Sequence, residues 1–206
     1  HSALYYNTSS SANIAIGTEA LYQNKKGGNT AIGHRALHDN TEGTGNTAVG
    51  LESMYYNISD SYNVAIGFQS FLNHKTGNAN VAVGAWSLLN NVTGTANVAV
   101  GFQSLYYNST TDHNTAVGFQ AGTWLGTSND HNTSSSFSVY IGSRSRSGFS
   151  GSQNEIVIGY YAIGAGSNSV VLGNDAILKT ILKGNVGIGT LSPNSKLQIT
   201  GGDIYI

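Results

Sequence analysis

Hydrolysis of a glycosidic bond needs two carboxylates held ~5–10 Å apart on rigid positions. The 10 acidic residues of this 206-residue chain are scattered. Glu155 alone falls within a strand-like phrase. Glu19 and Glu52 hold equivalent repeat positions two repeats apart with Arg35 between them, which reads as a solvated column of mixed charge. The six histidines (His1, His34, His38, His74, His113 and His131) form no close metal-ligand motif. His34 and His38 stand four apart, a spacing that can place two ligands on one helix face, but the local element is too short and the pair reads as surface. Cysteine is absent, so a thiolate site and a disulfide scaffold are excluded. Gly187 and Gly189 lack the third glycine and the strand–helix context of a dinucleotide motif. No catalytic residue, metal or cofactor is expected.

The side chains best suited to recognition are aromatic. Tyr5-Tyr6, Tyr55-Tyr56 and Tyr106-Tyr107 recur as pairs. Phe68, Phe102 and Phe119 share another repeat position, and Trp86 sits one place further on. Rings on a neutral, amide-rich surface serve glycan or protein binding through stacking and amphipathic contact. The alternative is that they fill an outer corner of each repeat or a seam between chains. Tyr55, Tyr56, Tyr106, Tyr107, Phe68, Phe102 and Trp86 are thus the candidate surface-binding residues. Five Asn-x-Ser/Thr sequons, at Asn7, Asn57, Asn91, Asn108 and Asn132, matter only where the source glycosylates exported proteins.

What positions these residues is a repeat. The phrase Asn-x-Ala-(Ile/Val)-Gly appears at Asn13–Gly17, Asn29–Gly33, Asn46–Gly50, Asn63–Gly67, Asn80–Gly84, Asn97–Gly101 and Asn114–Gly118, with glycines spaced 16, 17, 17, 17, 17 and 17 residues apart. So short and fixed a period predicts a solenoid, one repeat to a turn. Counting each closing glycine as zero, positions −3 and −1 are β-branched and −2 is always alanine, a strand signature. Neighbouring strand residues point to opposite faces, and here both faces are apolar, the pattern of a strand buried on both sides. A single thin coil buries one face; the other calls for a second chain. The invariant asparagines at −4 (Asn13, Asn29, Asn46, Asn63, Asn80, Asn97 and Asn114) predict a structural ladder of stacked amides, about 4.8 Å apart. Position +4 (Leu21, Leu37, Met54, Phe71, Leu88 and Leu105) reads as a core plug, within a short second strand or helical turn. Asparagine recurs at +7, with His74 breaking the series.

After Gly118 the period degrades: Ser138–Gly142, Glu155–Gly159, Ser169–Gly173 and Asn185–Gly189 follow at glycine spacings of 24, 17, 14 and 16. The division expected is 1–122 for regular turns, 123–183 for degenerate coils with a protruding polar loop around Thr123–Ser136, and 184–206 for a neck. Eleven stacked turns would span on the order of 50 Å. The opening Ala3–Asn7 matches the mid-repeat stretch Ser104–Asn108, so earlier turns, and any export signal, are expected upstream.

Charged residues make up 9% against a usual ~25%, while aromatics reach 10%, which argues for an ordered neutral surface rather than disorder. A net charge of −1 without a basic run gives nucleic acid and anionic membranes nothing to hold. No apolar run reaches the length of a membrane span.

The repeat Asn-x-Ala-Ile/Val-Gly-x-x-Ala/Ser-Leu resembles the head domains of YadA-like trimeric autotransporter adhesins, strongly over about residues 3–122 and weakly over 138–189. That resemblance implies an all-β fold: a left-handed parallel β-roll or solenoid, here with longer 17-residue turns, assembled as a homotrimeric fibre. The stretch Gly184–Ile199 is similar to the segment preceding the self-cleaving chaperone domain of phage tail fibres. Together these imply an extracellular, cell-surface or virion fibre module that attaches to a host or surface glycan or protein receptor, without nucleic-acid binding or membrane insertion. Two other readings stand beside it. A glycan-degrading fibre enzyme would need clustered acids. A monomeric ligand- or ice-binding solenoid would need a flat threonine ladder, and only Thr30, Thr47 and Thr115 hold position −3.

Overall fold

In a computed structural model, residues 1–8 and 10–201 are described; the final five residues of the 184–206 segment lie outside the described residues. Every strand is three residues long. They are β1 (Ile14–Ile16), β2 (Thr30–Ile32), β3 (Thr47–Val49), β4 (Val64–Ile66), β5 (Val81–Val83), β6 (Val98–Val100), β7 (Thr115–Val117), β8 (Val139–Ile141), β9 (Ile156–Ile158), β10 (Val170–Leu172), β11 (Val186–Ile188) and β12 (Leu197–Ile199). Strands β1 to β10 form one parallel sheet in sequence order. The register joins like to like: Ala31 pairs with Ala48, Ala65 with Ala82, and Val83 with Val100. This is a parallel β-solenoid, and no helix occurs among the described residues. The chain divides into two compact units, His1–Asp175 and Ala176–Ile206. The eleventh glycine phrase belongs to the second unit, where β11 pairs with β12, so the continuous sheet has ten strands rather than eleven.

The interior of each turn is filled from two walls. From the strand comes the −2 alanine; Ala31, Ala48, Ala65, Ala82, Ala99 and Ala116 are all fully buried. From the opposite wall comes the +4 plug, and Leu21, Leu37, Met54, Phe71, Leu88 and Leu105 are buried against them. The segment carrying the plug is neither strand nor helical turn. Its +2 and +4 residues alternate into the left-handed region, with φ of 53° at Glu52 and 55° at Met54. That conformation is a genuine outlier for β-branched residues, and among the described residues no valine, isoleucine or threonine has positive φ. The division of labour follows from it: β-branched side chains line the strands, and Leu, Met or Phe, unbranched at Cβ, supply the plug. The closing glycines are required twice over. Gly67 has φ of 137°, and a Cβ there would lie 2.6 Å from the backbone of Gly84 in the next turn.

The −4 asparagines are joined from turn to turn by hydrogen bonds of one form. The backbone N–H of Asn46 donates to Oδ1 of Asn29, that of Asn63 to Asn46 and that of Asn80 to Asn63, at 3.0, 3.0 and 2.8 Å. From Asn29 to Asn97 each Nδ2 meanwhile donates to a loop carbonyl 14 residues on, as Asn29 does to Gly43 at 2.9 Å and Asn97 to Thr111 at 2.7 Å. Each amide thus ties its own loop shut and holds up the next turn. The +7 asparagines form a second ladder: Asn40 Nδ2 donates to Asn24 Oδ1 and Asn57 Nδ2 to Asn40 Oδ1, at 2.7 and 2.8 Å. Where His74 interrupts it, the imidazole Nε2 donates to the Gly77 carbonyl at 2.8 Å, replacing the bond Asn40 makes to Gly43. This buried nitrogen also lies 3.1 Å from Asp60 Oδ2.

Outward rows behave differently. Ile16, Ile32, Ile66, Val117, Ile141, Ile158 and Leu172, all at −1 of their strands, are exposed in the single chain. The second apolar strand face read from the sequence is therefore bare rather than buried within one copy.

The insertion after Gly118 is less of a free loop than expected. Thr123, Asn132 and Ser135 are buried, Asn132 Nδ2 donates to the Gly122 carbonyl at 3.1 Å, and Trp124 bridges His131 antiparallel. Its tip, 127–131, is what solvent meets.

Candidate functional site

Because every turn repeats the same geometry, residues at one repeat position stack into columns along the sheet, and the aromatic candidates fall on several. Position +5 carries a stack of four rings. Tyr5 lies on Tyr22, Tyr22 on His38 and His38 on Tyr55, with ring centres 5.3, 5.0 and 4.8 Å apart and planes within 13°. The sequence pointed to Tyr55 but not to Tyr22 or His38; the missing signal was that any flat ring at +5 joins the column, whatever its neighbour at +6. Burial raises the Tyr55 and Tyr106 phenols above their usual pKa. Tyr56 and Tyr107, at +6, stand edge-on to Tyr55 and Tyr106 at 4.6 Å.

Tyr56 and Tyr107 do not touch; three turns separate them. Both line an open groove of about 660 Å³, together with Asn73, Asn90, Ile58, Lys75, Val92 and Ser109. Asn73 Nδ2 donates to Asn90 Oδ1 at 3.0 Å.

Phe68, Trp86, Phe102 and Phe119 make a second column, with successive ring centres 5.6, 5.2 and 5.4 Å apart. Phe68 and Phe102 are exposed beside the bare strand rows, while Trp86 is half-buried. The indole N–H donates to Gln69 Oε1 at 2.9 Å, which places Trp86 in a polar ladder at +2. That ladder includes Arg35 Nε donating to Glu19 Oε2 at 2.7 Å, Gln69 to Glu52 at 2.8 Å, Gln120 to Gln103 at 2.7 Å and Arg144 Nε to Gln120 at 3.2 Å. The bond from Arg35 holds the Glu19 carboxyl below its ordinary pKa.

Two buried features of the degenerate turns were not anticipated. Tyr140 takes the −2 place of alanine, fully buried, and desolvation raises its phenol pKa. Glu155 takes the −4 place of asparagine. Its Oε2 accepts from Ser147 Oγ at 2.8 Å and Tyr140 OH at 3.4 Å, and its Oε1 from the Gly148 and Gly166 amides at 3.2 and 2.8 Å. Four donors close this carboxylate around a structural task. Among the described residues no group of three or more His, Asp or Glu is placed to hold a metal. The sequon asparagines Asn57, Asn91, Asn108 and Asn132 are buried ladder or loop residues.

The chain matches no family model, no curated protein and no solved structure, so what its surfaces do is argued from their geometry alone.

Proposed function

We propose that the chain is a structural and adhesive fibre segment, a left-handed roll three copies of which pack through the outer face of the ten-stranded sheet. The observation that carries this reading is the row of Ile, Val and Leu at −1 from Ile16 to Leu172, exposed in seven of the ten strands and half-buried at Val49, Val83 and Val100. A contiguous apolar strip of this kind marks an interaction surface, and a solenoid presents the same strip on each copy, so symmetric association buries all of it. The setting that fits is the outside of a cell or a virion. The aromatic columns at Tyr55, Tyr56, Tyr106, Tyr107, Phe68, Phe102 and Trp86 then face either a host or surface glycan or protein, or the seam between copies.

Solution mass by light scattering at several concentrations tests the assembly. A value near three times 21.5 kDa supports the trimer. A stable monomer at 21.5 kDa overturns it and leaves a lone ligand-binding solenoid in its place.

A further inference from the structure

Arg144 and Arg146 are two of only three arginines in the chain. The third, Arg35, is paired with Glu19. Neither Arg144 nor Arg146 has a carboxylate within ion-pair distance among the described residues, where every ion pair lies elsewhere. Arg146 occupies a +4 plug position and is only 9% exposed. Its Nη1 reaches the carbonyls of Gly126 and Ser128 at 3.3 and 3.0 Å, and its Nε has no hydrogen-bond partner. A buried guanidinium without a counter-charge is costly, and buried charges are ordinarily paired.

Arg144 is held from three sides. Its Nε donates to Gln120, its Nη1 to the Tyr161 hydroxyl, and its guanidinium lies 5.6 Å from the Phe119 ring centre and 5.2 Å from that of Tyr161. Arg146 lies 5.4 Å from the same Tyr161 ring. Both arginines line one cleft of about 340 Å³, together with Gln120, Trp124 and Asn129. No acidic residue lines it; Asp130, on the same loop, faces the neighbouring hollow beside Gly148 and Phe149.

We propose that this cleft binds the anionic group, carboxylate or sulfate, of a sugar residue whose ring lies against Trp124. The guanidinium fork matches a planar or tetrahedral oxyanion, and Arg144 is already fixed in place, so little side-chain freedom is lost on binding. The indole offers an apolar face to a pyranose ring, and Gln120 and Asn129 offer amides to its hydroxyls. The cleft volume is at the small end of ligand pockets, which run ~300–1,000 Å³. The insertion loop supplies Trp124 and Asn129, which gives that departure from the 17-residue period a purpose. The inference rests on the adhesive reading for the choice of a surface glycan as ligand; the cleft itself lies within one chain.

The test is calorimetric titration of the assembled protein at low salt with three oligosaccharides of equal length: one bearing uronic acids, one sulfated and one neutral. Binding of either charged probe with the neutral one at least tenfold weaker is expected, and which charged probe binds identifies the source of the anion. Arg144→Gln should weaken the charged probe tenfold or more, Arg144→Lys should fall between, and Arg35→Gln should leave binding unchanged. Added salt should weaken binding. Equal affinity for the neutral probe, no binding of either charged one, or an unaltered Arg144→Gln variant whose melting profile matches the parent overturns the site. Light scattering on the same samples separates the two ideas: a monomer that binds keeps the cleft and discards the fibre, and a trimer that ignores both charged probes does the reverse.

Discussion

The ring of Tyr140 occupies the space that a side chain at residue 122 would need. A Cβ added to Gly122 would stand 2.8 Å from Tyr140 Cδ2 and 2.8 Å from Leu105 Cδ2. In the regular turns the plug comes from +4 and the strand contributes alanine; here Gly122 vacates +4 and Tyr140 replaces the alanine. The core keeps its volume while its filling changes walls, as close packing demands. Gly122→Ala should therefore destabilise the protein by about 1–3 kcal/mol through overpacking, aggravated by its φ of 67°. Tyr140→Ala should open a cavity of the kind that costs about 3–5 kcal/mol for large aromatics. The double variant Gly122→Ala/Tyr140→Ala should be less damaging than the sum of these two singles, and a denaturation double-mutant cycle measures that coupling. Strict additivity would mean the two residues do not share one space.

The asparagine ladder makes a sharper prediction than side-chain burial alone. Asn63 accepts from the Asn80 N–H and donates to the Gly77 carbonyl. Asn63→Ala leaves the Asn80 N–H unpaired in the interior, at about 1–3 kcal/mol, while the Gly77 carbonyl keeps the bond from His74 Nε2. Gln69→Ala, which removes two half-buried bonds, to Glu52 and from the Trp86 indole, should cost less, because solvent can reach the groups it leaves. Urea denaturation of the two variants checks the ranking.

Much of this architecture was legible in advance. The glycine period placed β1 to β7, the Ala at −2 and the residue at +4 marked the core, and the Asn at −4 marked the ladder. All of these follow from one repeating backbone, so each copy reinforces the reading of the others. What escaped reading depends on exchange between positions. Tyr140 looks like a misplaced aromatic until Gly122 is seen opposite it. His74 looks like a lapse until its Nε2 is found on the Gly77 carbonyl. Tyr22 and His38 stack at a position that single pairs such as Tyr55-Tyr56 do not define. Arg144 and Arg146 gain meaning only from the absence of an acid nearby, which sequence spacing does not report.

Alkaline pH should weaken the fold through the tyrosines. Desolvation raises the pKa of Tyr140 above its ordinary 10.0 in the folded chain, so above that value the unfolded chain has released a proton that the native one retains. Stability is then fully present below pH ~10 and falls as pH rises from there through the raised native pKa. Tyr22, Tyr55 and Tyr106 shift in the same direction but are far more exposed, so Tyr140 should dominate. Tyr140→Phe should flatten the alkaline slope in denaturation midpoints recorded between neutral pH and pH 11. An unchanged slope would assign the alkaline loss to the exposed tyrosines instead.

Neighbouring residues of one strand should respond in opposite ways, because they face opposite sides of the sheet. Ala65 is fully buried and Ile66 is 40% exposed. Ala65→Leu forces extra methylenes into a filled interior and should lower stability by about 1–3 kcal/mol, whatever the state of assembly. Ile66→Lys with Val100→Lys leaves the interior untouched and places two charges on the bare face, so the isolated coil should keep its strand signal. In the proposed trimer those charges would meet an apolar partner surface, where burying them unpaired is prohibitive. Light scattering on the double-lysine variant should accordingly fall from three times 21.5 kDa towards 21.5 kDa. A trimer that survives both lysines would place its interface on some other face of the solenoid.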